Sequence, residues 1–133
     1  MNKVLLLDEE FALAKELKEG IILRIPEITF HNAYNYKDAY NLINKNVYDI
    51  IIIDVVIPIS DEDKKVNKKL TDPYSTGIKF KDYILNENET NKEAKLFLFT
   101  SRSNLTESEK NGIQGVIEKP KRPSQIIKQI FKE

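Results

Sequence analysis

The chain has 133 residues, 41% hydrophobic and 32% charged, a composition that suits one soluble domain, 1–133, burying roughly two thirds of its unfolded surface. Its 21 basic and 21 acidic residues cancel, so charge gives no argument for nucleic acid or an anionic membrane as a partner. The absence of cysteine excludes disulfides and thiolate metal sites, and no apolar run approaches the length of a membrane span.

Apolar runs alternate with segments of helical period. Residues 4–7, Val-Leu-Leu-Leu, predict a first strand, and Phe11, Leu13, Ala14, Leu17 and Ile21 recur at helical spacing with Gly20 as the expected stop. A weaker strand is expected at 28–31 and a second helix at 37–44. Residues 49–54 form a β-branched run of the kind buried on both faces of a parallel sheet. The stretch 59–76 breaks the rhythm with Asp61, Glu62 and Asp63 followed by Lys64, Lys65, Lys68 and Lys69. Asp72-Pro73 followed by Gly77 marks turns, and the stretch reads as a solvated mobile loop, with a lid or docking element as the other reading. A third helix is expected at 78–85, a fourth strand at Lys95–Thr100 and a fifth at Gly115–Glu118. Between the last two, residues 101–111 leave room for only a stunted helix. Ser124 is the expected N-cap of a final helix through Ile126, Ile127, Ile130 and Phe131.

Strands alternating with helices imply right-handed crossovers: one doubly wound, flavodoxin-like α/β domain, its five-stranded parallel sheet ordered 2-1-3-4-5 with helices on both faces. Ligands of such sheets bind beyond the carboxyl ends of the strands, and there this sequence places its polar landmarks. Asp8 and Glu9 follow the first run, Asp54 ends the third, Thr100 the fourth, and Lys119-Pro120 follows the fifth. Two like charges about 4 Å apart repel by roughly 4 kcal/mol at an effective dielectric near 20. Converging carboxylates therefore need cations. Lys119 supplies one, and Mg²⁺, suited to a few carboxylates plus a phosphate, supplies the rest.

In these residues the chain resembles the receiver domain of two-component response regulators. Asp8 and Glu9 stand in the places of the acidic pair, Asp54 in that of the phosphoacceptor with Pro58 four residues on, Thr100-Ser101 in that of the hydroxyl residue and its small neighbour, and Lys119-Pro120 in that of the lysine and its proline. The resemblance covers nearly the whole chain except 59–76. It implies that Asp54 accepts a phosphoryl group from a sensor histidine kinase or phosphotransfer protein. Mg²⁺ would be held by Asp8, Glu9, Asp54 and the Val56 backbone carbonyl, with Lys119 and Thr100 contacting the phosphoryl oxygens. A Lys-Pro bond of the cis form is part of the same pattern.

The implied product is a stand-alone cytoplasmic phosphoprotein that signals to an unknown downstream protein, without nucleic acid or membrane contact and without being an enzyme in its own right. Three departures favour the alternative, a degenerate receiver acting as a phosphorylation-independent interaction module: Glu9 in place of the commoner aspartate, Val116 where an aromatic switch residue is usual, and the expanded 59–76 segment. An aspartyl-phosphate phosphatase of the haloacid-dehalogenase type would want an acid at position 56, which is Val56, and the acidic turn Asp8-Glu9-Glu10 would repel the phosphate of a flavin carrier. His31, the lone histidine, is expected to be structural or exposed, and Tyr34, Tyr36 and Tyr40 to cover the second helix.

Overall fold

A computed structural model describes residues 3–131. Five parallel strands, β1 (Lys3–Leu7), β2 (Thr29–Ala33), β3 (Ile50–Asp54), β4 (Lys95–Thr100) and β5 (Gly115–Glu118), form one sheet in the order β2-β1-β3-β4-β5. Leu7 pairs with Ala33 on one side and Ile53 on the other, Asp54 with Phe99, and Thr100 with Glu118, so the strands end together. Every residue of the central strand β3 is buried, as its unbroken β-branched sequence requires.

Side chains alternate across the sheet and build two cores. Val4, Leu6, Ile50, Ile52 and Phe97 pack against α1 (Phe11–Arg24) and the terminal helix α6 (Pro123–Ile130). Leu5, Leu7, Ile51, Ile53, Leu96 and Leu98 pack on the other face with α2 (Tyr36–Ile43) and α4 (Thr76–Glu87). Among the described residues no helix is long and apolar enough to cross a membrane.

Gly20 does not stop α1, which runs on to Arg24. A Cβ at Gly20 would lie 2.7 Å from Ile127 Cδ1, so the glycine serves the close crossing of α1 and α6 rather than a terminus. Ser124 is likewise inside its helix. Pro123 takes the first helical position after Arg122, where its fixed φ suits helix entry, and Gln125 Oε1 accepts from the Arg122 amide at 3.2 Å.

The largest difference lies at 59–76, which is ordered and packed rather than a solvated loop. It contains α3 (Asp61–Val66) and a 3₁₀ turn, Pro73–Ser75. Ser60 Oγ accepts from Asp63 N at 3.1 Å while Asp63 Oδ2 accepts from Ser60 N at 2.9 Å, a reciprocal cap that makes the acidic block a helix start. The other Asp63 oxygen accepts from the Lys37 amide at 2.9 Å in the first turn of α2, and Asp63 is fully buried. Leu70 is buried in the core, and the Tyr36 hydroxyl accepts from Asn67 Nδ2 at 2.9 Å. α5 (Glu107–Lys110) is the expected stunted helix.

Candidate functional site

β1 delivers the residue that follows it, Asp8, to the sheet edge under tight backbone control. The Asp8 amide donates to Ala33 O at 3.0 Å, and Asn32 Nδ2 reaches Leu6 O at 3.0 Å and Ala33 O at 3.3 Å. Asp8 is wholly buried: its Oδ1 accepts from Glu10 N at 2.8 Å, while its Oδ2 has no hydrogen-bond partner. Asp54, ending β3, is 5% exposed, and its Oδ1 accepts from Val56 N at 3.2 Å. Lys119, just past β5, donates to Asp54 Oδ2 at 3.0 Å and lies 3.8 Å from Asp8 Oδ2. Its ammonium also sits 4.6 Å from the centre of the Phe99 ring, and the Lys119–Pro120 bond is cis. Thr100 is buried, its Oγ1 accepting from the Arg102 amide at 3.0 Å. A cleft of about 210 Å³ opens among Glu9, Glu10, Asp54, Val56, Thr100, Ser101 and Lys119.

Burial governs the electrostatics. It pushes the Asp8 carboxyl from its ordinary 3.8 up to about 6; the Glu10 amide opposes this, Asp54 adds to it and Lys119 again opposes. Asp54 is raised by the same desolvation against the hydrogen bond and charge of Lys119. One ammonium thus serves two buried carboxylates, leaving the site short of positive charge.

The fold brings Asp8, Asp54, Thr100 and Lys119 together and sets Glu9 and Val56 beside them, but not as a cage of three acids. Among the described residues no three carboxylate or imidazole groups are placed to hold a metal. Asp8 and Asp54 flank Lys119, whereas Glu9 remains exposed on the rim, where its charge keeps its hydration instead of joining two desolvated neighbours. Mg²⁺ commonly takes only one or two carboxylates beside a phosphate and waters, so this donor set still fits it. Asp8 Oδ2, which accepts no hydrogen bond, is an oxygen ligand to spare.

Gly77 is a site residue that sequence reasoning took for a turn marker. Its amide donates to Val55 O at 3.0 Å, and a Cβ there would stand 2.7 Å from Val55 Cα and collide with the Asp54 carbonyl. α4 can start against the Asp54 end of β3 only because that Cβ is missing. Arg102, whose amide holds the Thr100 hydroxyl, borders the same site. Its guanidinium pairs with both Glu109 oxygens at 3.3 Å, joining the residue after Ser101 to α5. His31 is structural, its Nδ1 at 2.7 Å from the Tyr48 hydroxyl.

No family model matches the chain, and no curated protein sequence does. Its structure is similar to that of the chemotaxis response regulator CheY4 of Vibrio cholerae, with a TM-score of 0.75 and 20% identity over 99% of this chain and 98% of that one. It is similar to the response regulator TrrA of Thermotoga maritima in complex with Mg²⁺ and BeF, with a TM-score of 0.71 and 20% identity over 99% and 98% of the two chains. A response regulator of Burkholderia pseudomallei with a phosphorylated aspartic acid and a calcium ion gives a TM-score of 0.72 and 15% identity, over 96% of this chain and 65% of that longer one. The chain therefore has the fold of CheY-like response-regulator receiver domains.

Proposed function

We propose that the chain is a phosphoacceptor receiver module in which Asp54 takes a phosphoryl group from the phosphohistidine of a kinase or phosphotransfer protein. One observation carries this reading: a nearly buried Asp54 carboxylate, bonded to the Lys119 ammonium at 3.0 Å, opens into a small cleft that Thr100 also lines. An Asp54 oxygen attacks phosphorus, the P–N bond to the donor imidazole breaks and its electron pair returns to the ring. Lys119 leaves Asp54 for a phosphoryl oxygen, and the Thr100 hydroxyl, now an acceptor from Arg102, turns to donate to another. Asp8, Asp54 and the Val56 carbonyl would hold Mg²⁺, with Glu9 reaching in from the rim; the ion supplies charge neutralisation for the phosphoryl oxygens. The domain acts in the cytoplasm and signals by protein–protein contact, not by turnover of a substrate and not through nucleic acid.

Acetyl phosphate with Mg²⁺, followed by intact-protein mass spectrometry, tests the reading. A phosphoryl-sized mass increase that disappears in Asp54→Ala is expected. An unmodified wild-type chain under conditions that label an ordinary receiver would favour the second reading, a phosphorylation-independent interaction module. That reading draws on Val116, half-buried where an aromatic switch is usual, and on the exposed position of Glu9.

A further inference from the structure

We propose that a groove between α2, α4 and the stretch following α3 binds an acidic segment of a partner protein. The groove measures about 430 Å³, about twice the acidic cleft, with which it shares no lining residue. Tyr40 from α2 and Tyr83 from α4 form its aromatic wall, their ring centres 5.1 Å apart and tilted by 41°. Lys68, Lys69 and Lys79 surround it.

What sets these lysines apart is their convergence on one groove with little acid around it. Lys37 and Lys65 share Glu62, and the buried Lys81 holds Asp82 at 2.9 Å, yet no ion pair within 4 Å engages Lys68, Lys69 or Lys79 among the described residues. The insertion explains the separation: its acids sit at the start of α3, where Asp63 is consumed as a cap, and Lys68 and Lys69 follow the helix end. Among the lining residues the acids are Asp82, already engaged by Lys81, and Glu87, against the three lysines. The groove's surplus of lysine over free carboxylate is complementary to carboxylates carried by a partner.

The lining also selects the class of occupant. Glu87 inside the groove opposes a continuous polyanion such as nucleic acid. Cations spaced around two tyrosines and the Asn86 amide suit a peptide, whose carboxylates meet the lysines and whose apolar side chain covers the rings.

The test uses the full chain and a fluorescein-labelled peptide in which Glu and Asp alternate with Leu, read by anisotropy and by amide shifts in a ¹H–¹⁵N spectrum. Saturable binding is expected, with shifts clustered around Tyr40, Lys69 and Tyr83. The Lys68→Glu, Lys69→Glu, Lys79→Glu triple variant should weaken it by about tenfold, or 1.4 kcal/mol. The Lys15→Glu, Lys18→Glu variant on α1 and Asp54→Ala should leave it unchanged, which separates this proposal from the phosphoacceptor reading. The proposal is overturned by absence of saturable binding, by binding that survives the triple variant, by equal loss in the α1 control or in Asp54→Ala, or by stronger competition from polyphosphate than from a second acidic peptide.

Discussion

Replacing Asp8 by Asn should make the apo protein more stable at neutral pH, and the gain can be worked from the site. The folded state raises the Asp8 carboxyl from 3.8 to about 6, so it binds the proton more tightly than the unfolded chain does. Below the unfolded value both states are protonated and the residue costs nothing. As pH rises from there to about 6 the folded protein must carry the buried charge, and stability is lost. At 1.36 kcal/mol per unit, the cost at pH 7.5 is about 3 kcal/mol. Asn keeps the oxygen that accepts from Glu10 and carries no charge, so Asp8→Asn should recover most of that. For a chain of this length the difference corresponds to a melting temperature about 10 °C higher. Urea unfolding of both proteins between pH 3.5 and 7.5, without divalent ions, measures it; the difference should be small at the acid end, grow between pH 4 and 6 and level off above. A variant less stable than wild type at pH 7.5, or a difference flat across the range, would refute burial as the dominant force on Asp8.

Lys119→Met should act in the opposite sense, costing about 2–4 kcal/mol at pH 7.5 by leaving two buried carboxylates without their cation, and the loss should shrink on acidification; urea titrations at two pH values check this. Millimolar Mg²⁺ should raise the wild-type melting temperature and leave Asp8→Asn nearly unmoved, as scanning calorimetry would show. Gly77→Ala should cost about 1–3 kcal/mol by forcing a Cβ into the strand after Asp54, and it should slow labelling by acetyl phosphate more than a surface variant of equal stability does. Asp63→Ala removes acceptors from the starts of two helices and should cost about 2 kcal/mol by thermal melts, whereas a freely solvated loop would tolerate it.

The strands and their order were legible because β3 is uniformly β-branched and the polar landmarks end their runs, so hydrophobic period and topology rules point the same way. The pairing of Asp8, Asp54 and Lys119 followed from that order alone. The errors have local causes. Ser60-Asp61-Glu62-Asp63 carries the spacing of a capping box, but its aspartate at the third helical position and the lysine-rich sequence that follows resemble solvated charge. That Asp63 would also cap α2 depends on a contact 26 residues away, which no local pattern contains. Gly20 and Gly77 were read as chain punctuation, though each answers to a neighbour packed from a distant part of the sequence. Glu9, given as a metal ligand by the receiver resemblance, lies two residues past the end of β1 and stays exposed, where its charge keeps its hydration.

The alternation of the strands gives the cleft a mechanical position. Asp54 continues the side of β3 that carries Ile50 and Ile52, whereas Thr100 continues the side of β4 that carries Leu96 and Leu98. Those sides belong to different hydrophobic clusters, separated by the thickness of the sheet. A group bonded to Asp54 and hydrogen-bonded by Thr100 would rivet both halves of the molecule at one point, so tension applied there would be felt by the helices of either layer.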